Sequence, residues 1–586
     1  MSQPPAVSEP SWPHCGQDAD PSTEPVGCHG IHVPGHTACL AHLPDADRHA
    51  YLHGLSPGAD IDHRGTPFTQ SLLADLLDAL RDPTTGNARL GHAVFTGARF
   101  SDDAWFNGAR FVDSALFGGA QFFGRAWFNG ARFSELAWFE GAEFSGGAMF
   151  EGARFSGHAQ FEAAQFFRHA WFETVQFSGG AGFGKAQFSR DVRFGKAQFP
   201  VASVLGPLVC AGAVDLASVV FGSPVTLEIA AREVRCTRTR WAATATVRLR
   251  YAQIDLEHAE LSAPLAITAH PAPFVSPGVP FERRVHVVDE SLLSGCPDGV
   301  RVASVQGVDA AHLVLTNTDL AGCRFSGTFN LDQLRLGGRT LFAAPPTGWH
   351  HRGMRLTRWT RRRTLAEEHH WRAQTAGQSA PPPGNTTSSR QWHPGPHHPD
   401  PSLTPVPEDV SALYRQLRKA FEDSKNAPGA ADFYYGECEM RRHDHTSTPT
   451  GERHLLWAYW LLSGYGLRAS RAFTWLLTAM TLTVLLLTGY GLPDHAPRPA
   501  TTGTVKSSNV SLTTSNPRPT LHGGLSQHIT TPRVEKAIPI AVNSVVFRSS
   551  GQNLTVAGSY IEIFSRLLEP TLLALGLLAI RGRIKR

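Results

Sequence analysis

Residues 92–133 read HAVFTGARFSDDAWFNGARFVDSALFGGAQFFGRAWFNGARF. Phenylalanine falls at 95, 100, 106, 111, 117, 122, 128 and 133, in alternating steps of five and six. The alternation runs on without a miss to Phe199, twenty phenylalanines in all. A repeat of five plus six matches neither the 3.6-residue turn of a helix nor the two-residue alternation of a strand. It marks a solenoid, in which each repeat buries its apolar face only against its neighbours.

Two such units make 22 residues. If 22 residues close one coil, the rings form four columns, one of them Phe106, Phe128, Phe150, Phe172 and Phe194 and another Phe100, Phe122, Phe144, Phe166 and Phe188. Coils spaced like paired strands lie about 4.8 Å apart, a distance at which offset rings attract. Ala stands two residues before the ring at 93, 98, 104, 109, 115, 120, 126 and 131, as a narrow interior requires. Gly at 97, 108, 119, 130, 141 and 152 suits corners with positive φ.

This pattern resembles the pentapeptide-repeat family, in a Phe-rich variant with an extra residue in alternate repeats. The resemblance implies a mainly β fold, a right-handed four-sided β-helix. To it the sequence adds flanking helices and C-terminal transmembrane helices. The regular part spans 93–230, because the register continues through Leu205, Cys210, Leu216, Phe221 and Leu227. It decays over 231–345 and reappears as Leu315, Leu320, Phe325, Leu331 and Leu336. Cys210 and Cys323 fall in inward slots and are expected to be buried small apolar groups.

The residue before each ring faces out. One outward column is Trp105, Trp127, Met149 and Trp171; the next is Arg110, Arg132 and Arg154. Trp and Arg are the residues enriched at binding hot spots, and exposed apolar stripes tend to be contact surfaces. These seven residues are the candidate partner-binding surface. The competing reading is that the indoles lie flat on the sheet or are covered by this same chain. Some members of the family mimic DNA, which needs an acidic surface. From Phe95 to Phe199 ten acidic residues stand against ten basic ones, so neither mimicry nor nucleic-acid binding by the solenoid is expected.

The segment 1–50 holds Cys15, Cys28, Cys39 and His42, a ligand set for one tetrahedral zinc. Against it, the first two cysteines are not a close pair, and His29, His32 and His36 also compete for the site. Unliganded cysteines in a loose segment are the other reading. In 51–92, SLLADLLDALRD (71–82) places Leu72, Leu73, Leu76, Leu77 and Leu80 on one helical face, a cap for the open solenoid end.

Beyond the solenoid, 346–377 carries Trp349, Trp359 and Trp371 among seven arginines and reads as a basic-aromatic helix. The Pro-rich 378–407 reads as a disordered linker. Residues 408–445 form a helical hairpin broken at NAPG, resembling the segment before the membrane region of pentapeptide-repeat membrane proteins. Glu437 and Glu439 are expected there as solvated helix residues. Residues 454–467, rich in Trp and Tyr, suit an interfacial helix. Residues 472–493 are apolar enough for a first transmembrane helix, and 561–580 for a second. Arg566 and Glu569 either pair on one face of the second span or sit at the outer interface. The segment 494–560 is then an external loop. Arg468 and Arg471 before the first span, and Arg581, Arg583, Lys585 and Arg586 after the second, put the solenoid and the C-terminus in the cytoplasm.

TGYG (488–491) has the letters of a potassium filter but lacks a preceding pore helix, and SGYG recurs at 463–466. The chain of 586 residues has a net charge of +4 and eight scattered cysteines, which make no disulfide scaffold. No apolar N-terminal run with basic flanks is present, so no secretory signal peptide is expected. No P-loop, G-x-G-x-x-G with helix, H-E-x-x-H or nucleophile elbow occurs. The expectation is a bacterial plasma-membrane protein whose cytoplasmic solenoid binds or scaffolds a protein partner, without catalysis. No cofactor beyond a structural zinc is implied, and an oligomer is open. A two-span, channel-like or ion-responsive protein with a regulatory solenoid is the alternative.

Overall fold

A computed structural model describes residues 10–584 apart from 20–25, 277–285, 346–348, 353–354, 359–361, 376–397, 399, 496–498, 507–508, 516–518 and 520. Most of the linker 378–407, and Trp359, lie outside the described residues. The chain forms two units, 1–405 and 406–586.

The first unit is a β-solenoid of about 11 turns. Its strands are mostly two residues long, an Ala or a polar residue followed by an outward residue or a ring. They pair in parallel with the coils above and below: Ala126 with Ala104 and Ala148, Phe133 with Phe111 and Phe155. Partners are 22 residues apart, as the spacing demands. All twenty rings are buried, and so are the Ala residues two before them. Phe128 stacks on Phe106 and Phe150 at 4.9 Å each, with interplanar angles of 2° and 3°. Between columns the rings meet edge to face, Phe128 lying 5.5 Å from both Phe117 and Phe139. Both geometries suit the ring quadrupole.

The corners close by turns in which Ala131 N donates to Phe128 O at 3.0 Å, with Gly130 at φ 65°. Ala163, Thr174, Lys185 and Lys196 adopt the same left-handed conformation later in the chain, so the strain of a Cβ is tolerated there. Gly146 is needed for another reason: a Cβ on it would lie 2.1 Å from Gly124 O of the coil beside it.

The register does not decay after 230; the coil shortens. Val220 pairs with Arg240, and Arg240 with Glu260, twenty residues per coil. Trp241 thereby inherits a ring position, fully buried and stacked on Phe221 at 4.5 Å. Leu265 next pairs with Leu313, because an insertion loops out between them. Phe274, Val288 and Leu293 of that insertion pack on Val209 and Ala230 of the solenoid. Cys210 and Cys323 are buried as expected, and burial pushes the Cys210 thiol up to about 12.

Both ends of the stack are covered. At the first end, helix α1 (Asp45–His53) is followed by α2 (Gln70–Ala79), which Thr69 caps by accepting from Leu72 N. Leu72, Leu73, Leu76 and Leu80 are buried, and Leu77 half-buried. The strand Ile61–Asp62 pairs with Ala93–Val94, which sets His63 beside Phe95 in a ring column. His63 is buried, and desolvation lowers its pKa to about 4. At the other end, the basic-aromatic segment is not one helix. Trp349–Arg352 and Arg355–Arg358 pair as an antiparallel hairpin, and only α3 (Ala366–Thr375) is helical.

Helix α3 turns two acids inward. Glu367 Oε1 accepts from Phe325 N and, at 3.1 Å, from Ser326 N. Glu368 pairs with Arg362 at 2.6 Å and with Arg372 at 2.7 Å. Burial raises the Glu367 carboxyl to about 7, and its Oε2 has no hydrogen-bond partner. Folded Glu367 thus keeps a proton that the unfolded chain releases from about pH 4.5 upward. Stability therefore falls as pH rises from about 4.5 to 7 and stays lowered above. Glu367→Gln is expected to stabilise the solenoid at pH 8 by about 2–3 kcal/mol and to change nothing at pH 4. Denaturant unfolding of the purified protein at both pH values reads this; equal midpoints at pH 8 would refute it.

In the second unit, α4 (Pro407–Asp423) and α5 (Ala427–His443) form the expected hairpin, broken where Asn426 accepts from Gly429 N. Tyr414 and Phe421 pack on Phe433 at 5.7 and 5.0 Å. Glu437 and Glu439 are not solvated. Glu437 is buried between Arg415 and Arg418 at 3.0 and 2.9 Å. Glu439 is buried on Arg442 at 2.7 Å and accepts from Tyr465 OH at 3.0 Å. The hairpin spends its inner face on ion pairs, which four-residue apolar spacing alone does not reveal.

Helix α6 (Thr450–Ser463) exposes Leu455 and Trp457 and turns Trp460 inward beneath Arg442 and Arg471. It leads to α7 (Ala469–Leu486), which a π turn extends to Gly491. The short α8 (Leu525–His528), α9 (Thr531–Val545) and the long α10 (Val556–Ile584) follow. Residues 469–491 and 556–581 are long and apolar enough to cross a membrane. The intervening segment 494–560 is more than a loop, since α9 packs against both α7 and α10. Arg566 and Glu569 do not pair. Arg566 donates to Phe547 O, and buried Glu569 accepts from Thr483 Oγ1 of α7 at 2.8 Å.

Candidate partner-binding face and metal centre

The solenoid fixes every outward side chain by register. Trp105, Trp127, Met149 and Trp171 share one column, which Arg193 ends. The indoles of Trp105 and Trp127 stack at 5.3 Å and 17°. Trp105 is 46% exposed; the other three are half-buried, because each leans on the next coil. The Trp171 ring reaches over Gly147, where a Cβ would meet it at 3.1 Å. The indoles therefore do lie along the sheet, yet the column still offers a continuous apolar strip.

The neighbouring column is Arg110, Arg132 and Arg154, and Arg89 extends it by one coil. Among the described residues no ion pair within 4 Å holds any of these four, and Arg89 lies close enough to Asp82 to lower its carboxyl. Like charges set opposite one another on a sheet repel, so this column costs stability. The same 22-residue spacing identifies one more apolar column, Val94, Leu116 and Trp138, two columns further round the coil. Trp138 Nε1 donates to Glu140 at 2.8 Å.

A second cluster lies in the N-terminal segment. A short antiparallel ladder holds the first two cysteines: Cys15 N donates to Gly30 O, Gly16 N to Cys28 O and Cys28 N to Gln17 O. A turn then carries Cys39 and His42, with His42 N donating to Cys39 O at 2.9 Å. The ligand atoms of Cys15, Cys28, Cys39 and His42 all lie within 4.8 Å of one another. His42 Nδ1 is 3.5 Å from Cys15 Sγ and 3.4 Å from Cys39 Sγ; Cys28 Sγ and Cys39 Sγ are 3.7 Å apart. The competing histidines point elsewhere, His32 to His14 O and His36 towards Asp47. The hydrogen bond between the two thiols holds the Cys28 pKa well below the usual thiol value and pushes that of Cys39 up.

TGYG closes the π turn and is no filter. Its carbonyls are engaged: Thr488 O accepts from Arg533, Gly489 O meets His528 Nδ1 at 3.2 Å, and Tyr490 O accepts from Thr555 at 2.6 Å.

The family described as Pentapeptide repeats matches residues 86–132 and 117–165, nine copies in all. The solenoid is a pentapeptide-repeat domain. The matched residues carry the four Phe columns and most of the Trp and Arg columns. The twenty-residue coils after Phe221 lie beyond the matched residues. No curated protein and no solved structure matches the chain.

Proposed function

We propose that the chain is a membrane-anchored pentapeptide-repeat scaffold that binds a protein partner and performs no catalysis. The observation that carries this reading is the apolar column Trp105–Trp127–Met149–Trp171 beside the basic column Arg89–Arg110–Arg132–Arg154. An interface built on it has desolvated aromatic anchors and a cationic rim, the composition of binding hot spots. The two apolar helices and the basic residues around Arg468 and Arg581 support a plasma-membrane anchor with the solenoid on the cytoplasmic side.

Changing Trp105, Trp127 and Trp171 together to Ser is expected to reduce recovery of the native partner from membranes at least a hundredfold. Each lost anchor costs about 2 kcal/mol or more. Circular dichroism should be unchanged, because the core rings are untouched. An unchanged set of co-purifying proteins would sink the reading.

One observation favours the channel-like alternative: α9 is too short to span and packs between the two spans. Purified protein in planar bilayers would then conduct. Silence across voltages and ions, with insertion verified, removes that alternative.

A further inference from the structure

We propose that Cys15, Cys28, Cys39 and His42 hold one structural Zn²⁺ ion that locks the N-terminal segment onto the open end of the solenoid.

Geometry carries the assignment. A tetrahedral zinc with Zn–S near 2.3 Å and Zn–N near 2.0–2.1 Å has S–S edges of about 3.8 Å and S–N edges of about 3.5 Å. The cluster shows 3.7 Å between Cys28 and Cys39, and 3.5 and 3.4 Å from His42 to Cys15 and Cys39. A disulfide needs sulfurs about 2.05 Å apart, and all three cysteines are free. Cys28 Sγ also accepts from Gly30 N at 3.4 Å, a bond that orients a thiolate ligand. Gly30 has no alternative, since a Cβ there would lie 2.7 Å from Cys39 Sγ. Three thiolates and one imidazole leave no open coordination position, so the site is structural and supplies no catalytic water.

The segment needs a crosslink. Among the described residues, its buried apolar side chains between Cys15 and Asp45 are Val33, Cys39, Leu40 and Leu43, far too few for an independent core. Yet it makes specific contacts with the first coil. Ile31 N donates to Arg64 O at 2.8 Å, and Gly65 N of that coil donates in turn to Thr96 O of the next at 2.9 Å. Trp12 Nε1 donates to His29 O, and Arg64 lies over the Trp12 ring at 5.4 Å. A Cβ on Gly65 would lie 2.4 Å from His29 O, so the segment sits directly on the solenoid. The metal thus fixes the segment against the first coil.

The test is metal analysis of the full chain purified in detergent without chelator. One zinc per chain is expected. Replacement by Co²⁺ should give the visible bands and thiolate charge-transfer absorption of a tetrahedral site, a readout that needs no variant. Cys28→Ser and His42→Ala should each lower zinc content at least tenfold and speed hydrogen exchange at 61–68. Cys210→Ser and Cys323→Ser should leave zinc unchanged. Protein that holds less than a tenth of a zinc per chain and takes up no added Co²⁺ would overturn the proposal. A Cys28–Cys39 disulfide in freshly prepared protein would overturn it equally.

Discussion

Phe128→Ala is expected to destabilise the solenoid by about 3–5 kcal/mol, with the midpoint of denaturant unfolding falling accordingly. The ring is fully buried and touches Phe106, Phe150, Phe117 and Phe139 at 4.9 to 5.5 Å. The cavity cannot collapse, because the backbone on both sides is pinned. Phe128 N donates to Met149 O at 2.7 Å, and Phe106 N to Trp127 O at 2.7 Å. Phe123, five residues earlier in the same coil, is 55% exposed. Phe123→Ala should cost no more than about 0.5 kcal/mol. The pair of variants separates loss of a column ring from loss of any phenylalanine. Equal effects would show that the columns do not hold the fold.

Glu439→Ala is expected to cost the second unit about 3–5 kcal/mol, because it leaves Arg442 charged and without its carboxylate in a site from which water is excluded. Glu439 also accepts from Tyr465 OH, which would lose its partner too. The ring of Trp460 lies over Arg442 at 4.5 Å but cannot replace the carboxylate. Glu439→Leu combined with Arg442→Leu should recover most of the loss, since a well-packed apolar pair often replaces a buried ion pair without cost. Thermal unfolding in detergent, with hydrogen exchange assigned to α5 and α6, reads both variants. A single variant as stable as the native chain would contradict the buried pair.

The Phe columns and the corner glycines were legible because each follows from one repeated spacing, and the cap on the first end from the spacing of Leu72 to Leu80. Gly97, Gly108, Gly119, Gly130, Gly141 and Gly152 all adopt positive φ. Cys15, Cys28, Cys39 and His42 were named together from the sequence, with His29, His32 and His36 left as rivals to His42. The choice among them depends on the ladder between Cys15 and Cys28 and the turn after Cys39. The coil shortening at Trp241 was hidden because a change of period looks like decay when the old period is extrapolated. The twenty-residue step from Phe221 to Trp241 to Leu261 was the available signal. Glu437, Glu439 and Glu367 were misjudged or passed over because a carboxylate on a helix gives no sign of whether an arginine or a free backbone N–H waits opposite. Their partners lie up to 42 residues away. Helix α9 was missed because Pro539 interrupts its apolar pattern.

The most direct test of a partner-binding face on this solenoid is site-specific photo-crosslinking in native membranes. A photoreactive phenylalanine analogue at Trp127 is compared with the same analogue at Gln165, on a different outward column of the same stack. The predicted result is one discrete protein adduct from position 127 and none from position 165. Equal adducts from both positions, or none from either with the protein verified as folded and membrane-inserted, would contradict it.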